Sequence, residues 1–300
     1  MLVAVTGATG LVGRYLTPHL LAGGHSVRAW YRPSSDRSGL PEGIDWRQGQ
    51  LGDAGAAEAL VRGADAVVHA AVDWSERHGS LTDFLEVNFM GSIRLMEAAR
   101  AAGVRRFVFI SSCAVHEVIL PDRPLDEAHP LWPTGHYGAH KAALEAFVSS
   151  YGRGHGWPVC ALRPTGIYGL DHPPEKSNWY DLVGKVLRGE PISSAHGGKE
   201  VHAADVARAV ELLLTTGAEW VAGEVFNCYD RYVAEEEVAR IAKEISGSPS
   251  RVEALNRGPK NQIRTDKLRA LGMTFGGEEL LRRTVAELVA AHRKGGEGRG

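Results

Sequence analysis

A phenol and an ammonium stand four residues apart at Tyr137 and Lys141. On a helix that spacing puts both side chains on one face. A free tyrosine ionises near pH 10, and a cation a few ångströms away favours the phenolate by roughly 1–3 pKa units. The pair therefore suits proton transfer to or from an oxygen near neutral pH. The lysine keeps further donors for a hydroxyl such as that of a ribose. Upstream, an apolar run ends in Ser111-Ser112. A hydroxyl at such a strand end can hold a carbonyl or alcohol oxygen beside the phenol.

A second chemical feature lies at the N-terminus. An apolar run from Leu2 to Val5 leads into Gly7-Ala8-Thr9-Gly10-Leu11-Val12-Gly13, the spacing G-x-x-G-x-x-G. Behind it Leu11, Val12, Tyr15, Leu16, Leu20 and Leu21 follow a helical period. A continuous apolar run is how a buried parallel strand reads, so the glycines sit at a strand-to-helix join. A Cβ there would hold a phosphate off the backbone and the helix off the strand. The first helical N–H groups and the helix dipole favour an anion. We expect a pyrophosphate cradle at Gly7, Thr9, Gly10, Leu11, Val12 and Gly13.

These groups need a scaffold. The patterning predicts strands at 26–31, 44–47, 66–71, 106–111 and 159–163, with helices at 56–61, 81–102 and 137–151 between them. Such alternation implies an α/β fold: a Rossmann-type, doubly wound parallel sheet covered on both faces. Ligands bind outside the carboxyl ends of its strands, which is where Arg32, Ala70, Ala71, Ser112 and Pro164 fall. Beyond Pro164 the alternation weakens. Helices are expected at 178–188, 203–214, 234–245 and 277–292, and a returning strand at 225–228. We expect a dinucleotide-binding domain over 1–166 with returning segments at about 199–228. A smaller, discontinuous substrate lobe would span 167–198 and 229–293, and the glycine- and charge-rich tail 294–300 would be frayed.

Composition narrows the partners. The 300 residues carry a net charge of -2, with Lys and Arg spread along the chain. That gives no reason to expect nucleic acid or an anionic membrane. Cys113, Cys160 and Cys228 have neither zinc spacing nor the pattern of a disulfide framework. No His/Cys/Asp/Glu cluster suggests a metal. The first apolar run is too short for a signal peptide, and no run is long enough to span a membrane. A cytoplasmic protein with a small-molecule substrate is expected.

The glycine loop, the strand-end hydroxyl and Y-x-x-x-K together resemble the extended short-chain dehydrogenase/reductases, the NAD-dependent epimerase/dehydratase family. Val67-Val68-His69-Ala70-Ala71, Val87-Asn88-Phe89-Met90-Gly91 and Arg163-Pro164-Thr165-Gly166-Ile167-Tyr168-Gly169 extend the likeness, as does Val201-His202-Ala203-Ala204-Asp205-Val206-Ala207. The resemblance implies hydride transfer between a nicotinamide and a substrate carbon. Tyr137 would be the acid/base, Lys141 would tune it and bind the ribose, and Ser112 would orient the substrate oxygen, with Ser111 the rival if the register slips by one. Ala70, Ala71 and Asn88 would lie along the cofactor, and Pro164, Gly166 and Ile167 would line the nicotinamide pocket. A homodimer through 81–102 and 137–151 is implied too.

The departures refine this. NAD-using relatives carry an acidic residue at the end of the second strand; here Tyr31 is followed by Arg32. An arginine fork suits a 2′-phosphate, so NADP is favoured, with NAD the alternative and Arg37 a helper. The family's adenine loop usually reads G-D-L or G-D-I; here it is Gly49-Gln50-Leu51, where Gln50 can still accept from an adenine amino group, and Asp53 reads as a helix cap rather than the carboxylate shifted along. Sugar 4,6-dehydratases place two acids after the strand-end hydroxyl. Cys113 and Ala114 stand there, which argues against water elimination. Trp74, Cys113 and Asn178 are candidate substrate contacts, and His116 and Glu117 are substrate-facing or plain loop residues. The leading expectation is an oxidoreductase acting on a carbonyl or secondary alcohol, including that of a nucleotide-linked sugar. The alternatives are a sugar-nucleotide epimerase with tightly held cofactor and a non-enzymatic dinucleotide sensor.

Overall fold

The computed structural model describes residues 1–74, 79–255 and 258–297. Among them, ten strands form two sheets: β1 (Leu2–Thr6), β2 (Ser26–Tyr31), β3 (Asp45–Gln48), β4 (Ala66–His69), β5 (Arg106–Ile110), β6 (Val159–Pro164), β7 (Gly166–Tyr168), β8 (Gly197–His202), β9 (Glu224–Cys228) and β10 (Arg231–Ala234). The large sheet has the order β3-β2-β1-β4-β5-β6-β9, and every neighbouring pair in it is parallel. The helices are α1 (Leu11–Ala22), α2 (Ala54–Val61), α3 (Leu81–Leu85), α4 (Gly91–Ala101), α5 (His136–Ser149), α6 (Tyr180–Leu187), α7 (Ala203–Thr215), α8 (Ala218–Val221), α9 (Glu235–Ser246), α10 (Asp266–Ala270) and α11 (Gly277–Glu297).

Alternation along the strands builds two cores. Val3, Val5, Val27, Val68, Val108 and Leu162 face one way and meet Leu16 and Leu20 of α1 and Val206, Val210 and Leu213 of α7. Ala4, Val67, Phe107, Phe109 and Ala161 face the other way and meet Leu60 of α2, Leu95 and Met96 of α4, and Leu144 and Val148 of α5. Each fully buried large side chain contributes about 1.5–3 kcal/mol. These two apolar layers fix the strand ends in space.

The expected 81–102 helix is present as α3 and α4 joined by one widened turn, Glu86–Met90. Asp53 caps α2, accepting from the Ala56 N–H at 2.9 Å. The returning strand is β9, at the edge of the large sheet beside β6. Residues 199–202, grouped by sequence with the large sheet, instead belong to β8. There β7 pairs parallel and β10 antiparallel with β8, making a separate three-stranded sheet. A third core lies beyond it, where Tyr168 and Val233 meet Val183 of α6, Val238 and Ile241 of α9, and Leu281, Val285 and Leu288 of α11. Helix α11 continues to Glu297, further than the expected end at 292. Of the expected tail, 298–300 lie outside the described residues.

Strand order reverses between β1 and β4, where the first crossover helix packs on one face and the next on the other. A crevice opens at the carboxyl ends of strands at such a switch point.

Candidate active site

A cleft of about 560 Å3 lies there. From one end it is lined by Trp30, Arg32 and Gln50, then by Gly7, Gly10 and Val12, and at the other end by Ser112, Tyr137 and Lys141. Thr9, Leu51, Ala70, Ala71, Trp74, Pro164 and Ile167 also line it.

The glycine loop is shaped for close approach. Gly7 has φ +75°, and a Cβ on it would lie 2.8 Å from the Ala71 nitrogen. A Cβ on Gly13 would drive into the Gly7 carbonyl oxygen and the Ala8 backbone. Gly13 therefore seats α1 closely on the loop, and what it offers the cleft is its backbone N–H. The first intrahelical bond runs from the Arg14 N–H to the Gly10 carbonyl at 2.9 Å, and Gly10 offers no side-chain cap. The amides of Leu11, Val12 and Gly13 precede that bond, so an anion at this end would satisfy helix donors. Leu11 supplies backbone there, and its side chain does not line the cleft.

At the other end, three consecutive residues at the end of β5, Ile110 to Ser112, meet three residues one turn apart on α5. Ser112 stands beside the Tyr137 phenol, close enough to favour its ionised form. The Lys141 ammonium donates to the Ile110 carbonyl at 2.7 Å. Ser111 donates to Glu145 Oε1 at 2.5 Å. Ser112, not Ser111, thus stands beside the phenol. Glu145 also takes a bidentate pair from Arg163, Nη2 to Oε2 at 2.6 Å, with both side chains 3% exposed. Breaking a buried pair like this by removing one partner typically costs about 3–5 kcal/mol.

The electrostatics differ from the sequence expectation. Burial pushes the Tyr137 phenol up, and the neighbouring Ser112 hydroxyl only partly offsets it. Burial brings Lys141 down to about 7, against the pull of Glu145. The ammonium lies 5.8 Å from the Tyr137 ring centroid and 4.5 Å from that of Phe109. Desolvation of both partners thus outweighs the attraction that their spacing promised.

A buried chain of hydrogen bonds supports the strand ends from below. Thr6 Oγ1 meets His69 Nδ1 at 2.7 Å, and His69 Nε2 meets Ser92 Oγ at 2.7 Å. Ser92 donates to the Asn88 carbonyl at 2.5 Å, while Thr6 Oγ1 accepts from the Ala71 N–H. These roles place the His69 proton on Nε2. Burial brings that ring down to about 3, so it stays neutral.

Several predicted contacts turn elsewhere. Asn88 is buried and commits its amide to Asp73 N, Asp73 O and Phe84 O. It holds the segment after β4 and does not itself line the cleft. Gly166 is exposed between Thr165 and Ile167, both cleft-lining, but is not part of the lining. Cys113 begins a tight turn that points its thiol at the Arg163 carbonyl, 3.2 Å away. Burial pushes that thiol up to about 12. Asn178 donates to the Ile167 carbonyl from the surface. His116 bonds Arg163, and Glu117 accepts from Thr134 and Gly135. Arg37 stacks 4.3 Å over Tyr31 instead of reaching the cleft. Trp74, 63% exposed, lies 4.6 Å from the Tyr137 ring. Sequence reasoning missed Arg14, Asp36, His172 and Lys176, which line the cleft. His172 crosses it to Asp36 and Ser38, at 2.9 and 2.8 Å. Only the fold brings that proline-rich loop to this end of the cleft, although Arg14 directly follows the third glycine.

The model of the NAD dependent epimerase/dehydratase family matches residues 3–228. The chain belongs to this family. It is an extended short-chain dehydrogenase/reductase, an NAD(P)-dependent enzyme of hydride transfer at a carbonyl or secondary alcohol. It is 30% identical over 269 residues to dTDP-D-glucose 4,6-dehydratase of Mus musculus, across 79% of this chain and 72% of that one. It is 34% identical over 198 residues to a 3 beta-hydroxysteroid dehydrogenase/Delta 5→4-isomerase of Mycobacterium tuberculosis, across 62% of this chain and 52% of the other. The crystal structure of the UDP-glucose 4-epimerase of Thermus thermophilus with NAD superposes with a TM-score of 0.78 at 26% identity. That match covers 96% of this chain and 99% of the epimerase. Among the described residues no helix is long and apolar enough to cross a membrane.

Lys141 yields a pH signature. Its folded value of about 7 lies below the unfolded 10.5. Between those values the unfolded chain binds more protons, so stability rises with pH. His69 and His140, at about 3 and 4, titrate below this window. Thermal melts from pH 7 to about 10 should show the ligand-free wild type gaining on Lys141→Met; a constant gap between the two would contradict the assignment.

Proposed function

We propose that the chain is an NADP-linked oxidoreductase acting on a small carbonyl compound or secondary alcohol, with Tyr137 as its acid/base. The observation that carries this reading is one continuous cleft. It runs from a cationic end at Arg14, Arg32 and Lys176, over the amides of α1, to Ser112 and Tyr137. The lobe beyond Pro164, over 167–198 and 229–293, receives the substrate.

When bound, the nicotinamide supplies or accepts the hydride. The chain's residues do the rest. The α1 amides hold the pyrophosphate, and Lys141 holds the neighbouring ribose and keeps positive charge near the phenol. Ser112 hydrogen-bonds the substrate oxygen, and Tyr137 gives it a proton in reduction or takes one in oxidation. The cofactor's charge compensates for burial here, since an opposite charge raises a lysine's pKa. Trp74 covers the phenol from the solvent side.

Arg32 supports NADP. Its exposed guanidinium lies 3.8 Å from the half-buried Asp73 carboxylate. A contact of that length is weak and exchanges readily for a bidentate phosphate contact. NAD remains the alternative. Water elimination is disfavoured because Cys113, at about 12 and turned away from the cleft, is no acid for a leaving hydroxyl. The epimerase named among the structural matches supports a second reading, in which the same three residues oxidise and re-reduce one carbon and the cofactor stays bound. A homodimer through α4 and α5 is favoured by Met90 and Phe147, 37% and 40% exposed beside them. Three free cysteines suit a cytoplasmic setting.

Tyr137→Phe should lower kcat about 10²–10⁴-fold while the cofactor's Kd, read by calorimetry, stays near the wild-type value; retained turnover would overturn the assignment. Arg32→Ala should weaken NADP about tenfold with little change for NAD. Equal losses for the two cofactors would contradict a 2′-phosphate contact.

A further inference from the structure

Two loops from different parts of the chain meet at the rim of the cleft. One follows β2 and carries Ser34, Ser35 and Asp36; the other lies beyond β7 and carries His172 and Lys176. All of these residues line the cleft. Each loop is anchored before it reaches the other. Arg14 of α1 donates to the Asp36 and Ser38 carbonyls at 2.7 and 2.8 Å, and to the Thr9 carbonyl of the glycine loop at 3.2 Å. Ser38 donates to Asp36 Oδ1, from its N–H at 2.9 Å and from its hydroxyl at 2.6 Å. In the other loop, the Leu170 N–H donates to the phenol of Tyr15 on α1 at 2.8 Å, and the Asp171 N–H donates to Ser177 Oγ at 2.9 Å.

A single imidazole joins the two. His172 Nε2 lies 2.9 Å from Asp36 Oδ2 and 2.8 Å from Ser38 Oγ. The hydrogen bonds from Ser38 hold the Asp36 carboxyl down to about 2, so it stays an acceptor. Nε2 therefore carries a proton and donates it. The Ser38 hydroxyl has given its own proton to Asp36 Oδ1, so its oxygen accepts from the same N–H. The His172 and Asp36 side chains are 37% and 57% exposed. The contact thus sits on the solvent side of the cleft and not on its floor. An exposed contact of this kind is weak. It can open and close while the anchored loops behind it keep their places.

We infer that His172, Asp36 and Ser38 form a clasp across the rim of the cofactor groove, which must open for a dinucleotide to enter or leave. The inference rests on the reading of the cleft as the dinucleotide's site. The clasp's bonds run between protein groups, in the empty groove as in a filled one. It therefore sets how fast the cofactor exchanges and leaves the affinity unchanged. His172 acts through Asp36 and is a positioning residue.

The test is stopped-flow binding and displacement of NADPH on the full chain, read by cofactor fluorescence. His172→Ala should raise the association and dissociation rate constants together, by about threefold, with Kd unchanged. Asp36→Ala should do the same. The double variant should be no faster than either single variant, because both substitutions remove one contact. Circular dichroism of the variants should match the wild type. A rise in dissociation alone marks a lost cofactor contact and would overturn the inference. So would unchanged rates in the single variants, or effects that multiply in the double variant. A wild type that binds no NADPH would instead defeat the reading of the cleft itself, so the two failures are distinguishable.

Discussion

Helix α5 and the end of strand β5 hold each other by three successive contacts, two of them buried hydrogen bonds, and the chemistry depends on that register. Tyr137, Lys141 and Glu145 descend one face of the helix, meeting Ser112, the Ile110 carbonyl and Ser111. The lowest rung is the firmest, because Glu145 is also locked to Arg163 at the end of β6. A shift of α5 by one residue would break all three contacts and leave a buried carboxylate and a buried ammonium without partners. Desolvated groups like these demand their hydrogen bonds. The penalty for leaving them unpaired enforces the geometry of the phenol.

The same constraint acts below β1 and β4. Thr6, His69, Ser92 and Asn88 form a buried chain that ends on the backbone beside the glycine loop. The cofactor groove is thus floored by polar groups that are already satisfied. Its exposed surface keeps unused donors in the first amides of α1. The hydroxyl of Thr165, a cleft-lining residue, is by contrast buried without a partner.

Much of this was legible in the sequence up to Pro164. Buried parallel strands are continuous apolar runs, and Val3 to Val5, Val67 and Val68, and Phe107 to Ile110 announce themselves. The helices between them keep a 3.6-residue period. The small sheet was not legible, since β7 has three residues, β10 four, and β8 opens on Gly197-Gly198. Spacing correctly put Tyr137 and Lys141 on one face, but it carried no information about burial, so the direction of the tyrosine's shift was missed. Cys113 and Asn88 were placed near the chemistry by position alone. A tight turn takes the first under β6, and the widened turn between α3 and α4 commits the second to Asp73. His172 and Lys176 reach the cleft only through tertiary folding of the proline-rich loop.

The central claim is that a dinucleotide lies across the strand ends with its phosphates on α1 and its nicotinamide at Tyr137. A crystal structure of the protein soaked with NADP tests it most directly. The account predicts pyrophosphate density at the Leu11–Gly13 amides, the 2′-phosphate against Arg32, and the nicotinamide ring in contact with Pro164 and beside Tyr137 and Lys141. A cofactor bound away from the α1 amides, or one whose nicotinamide points away from Tyr137, would contradict it.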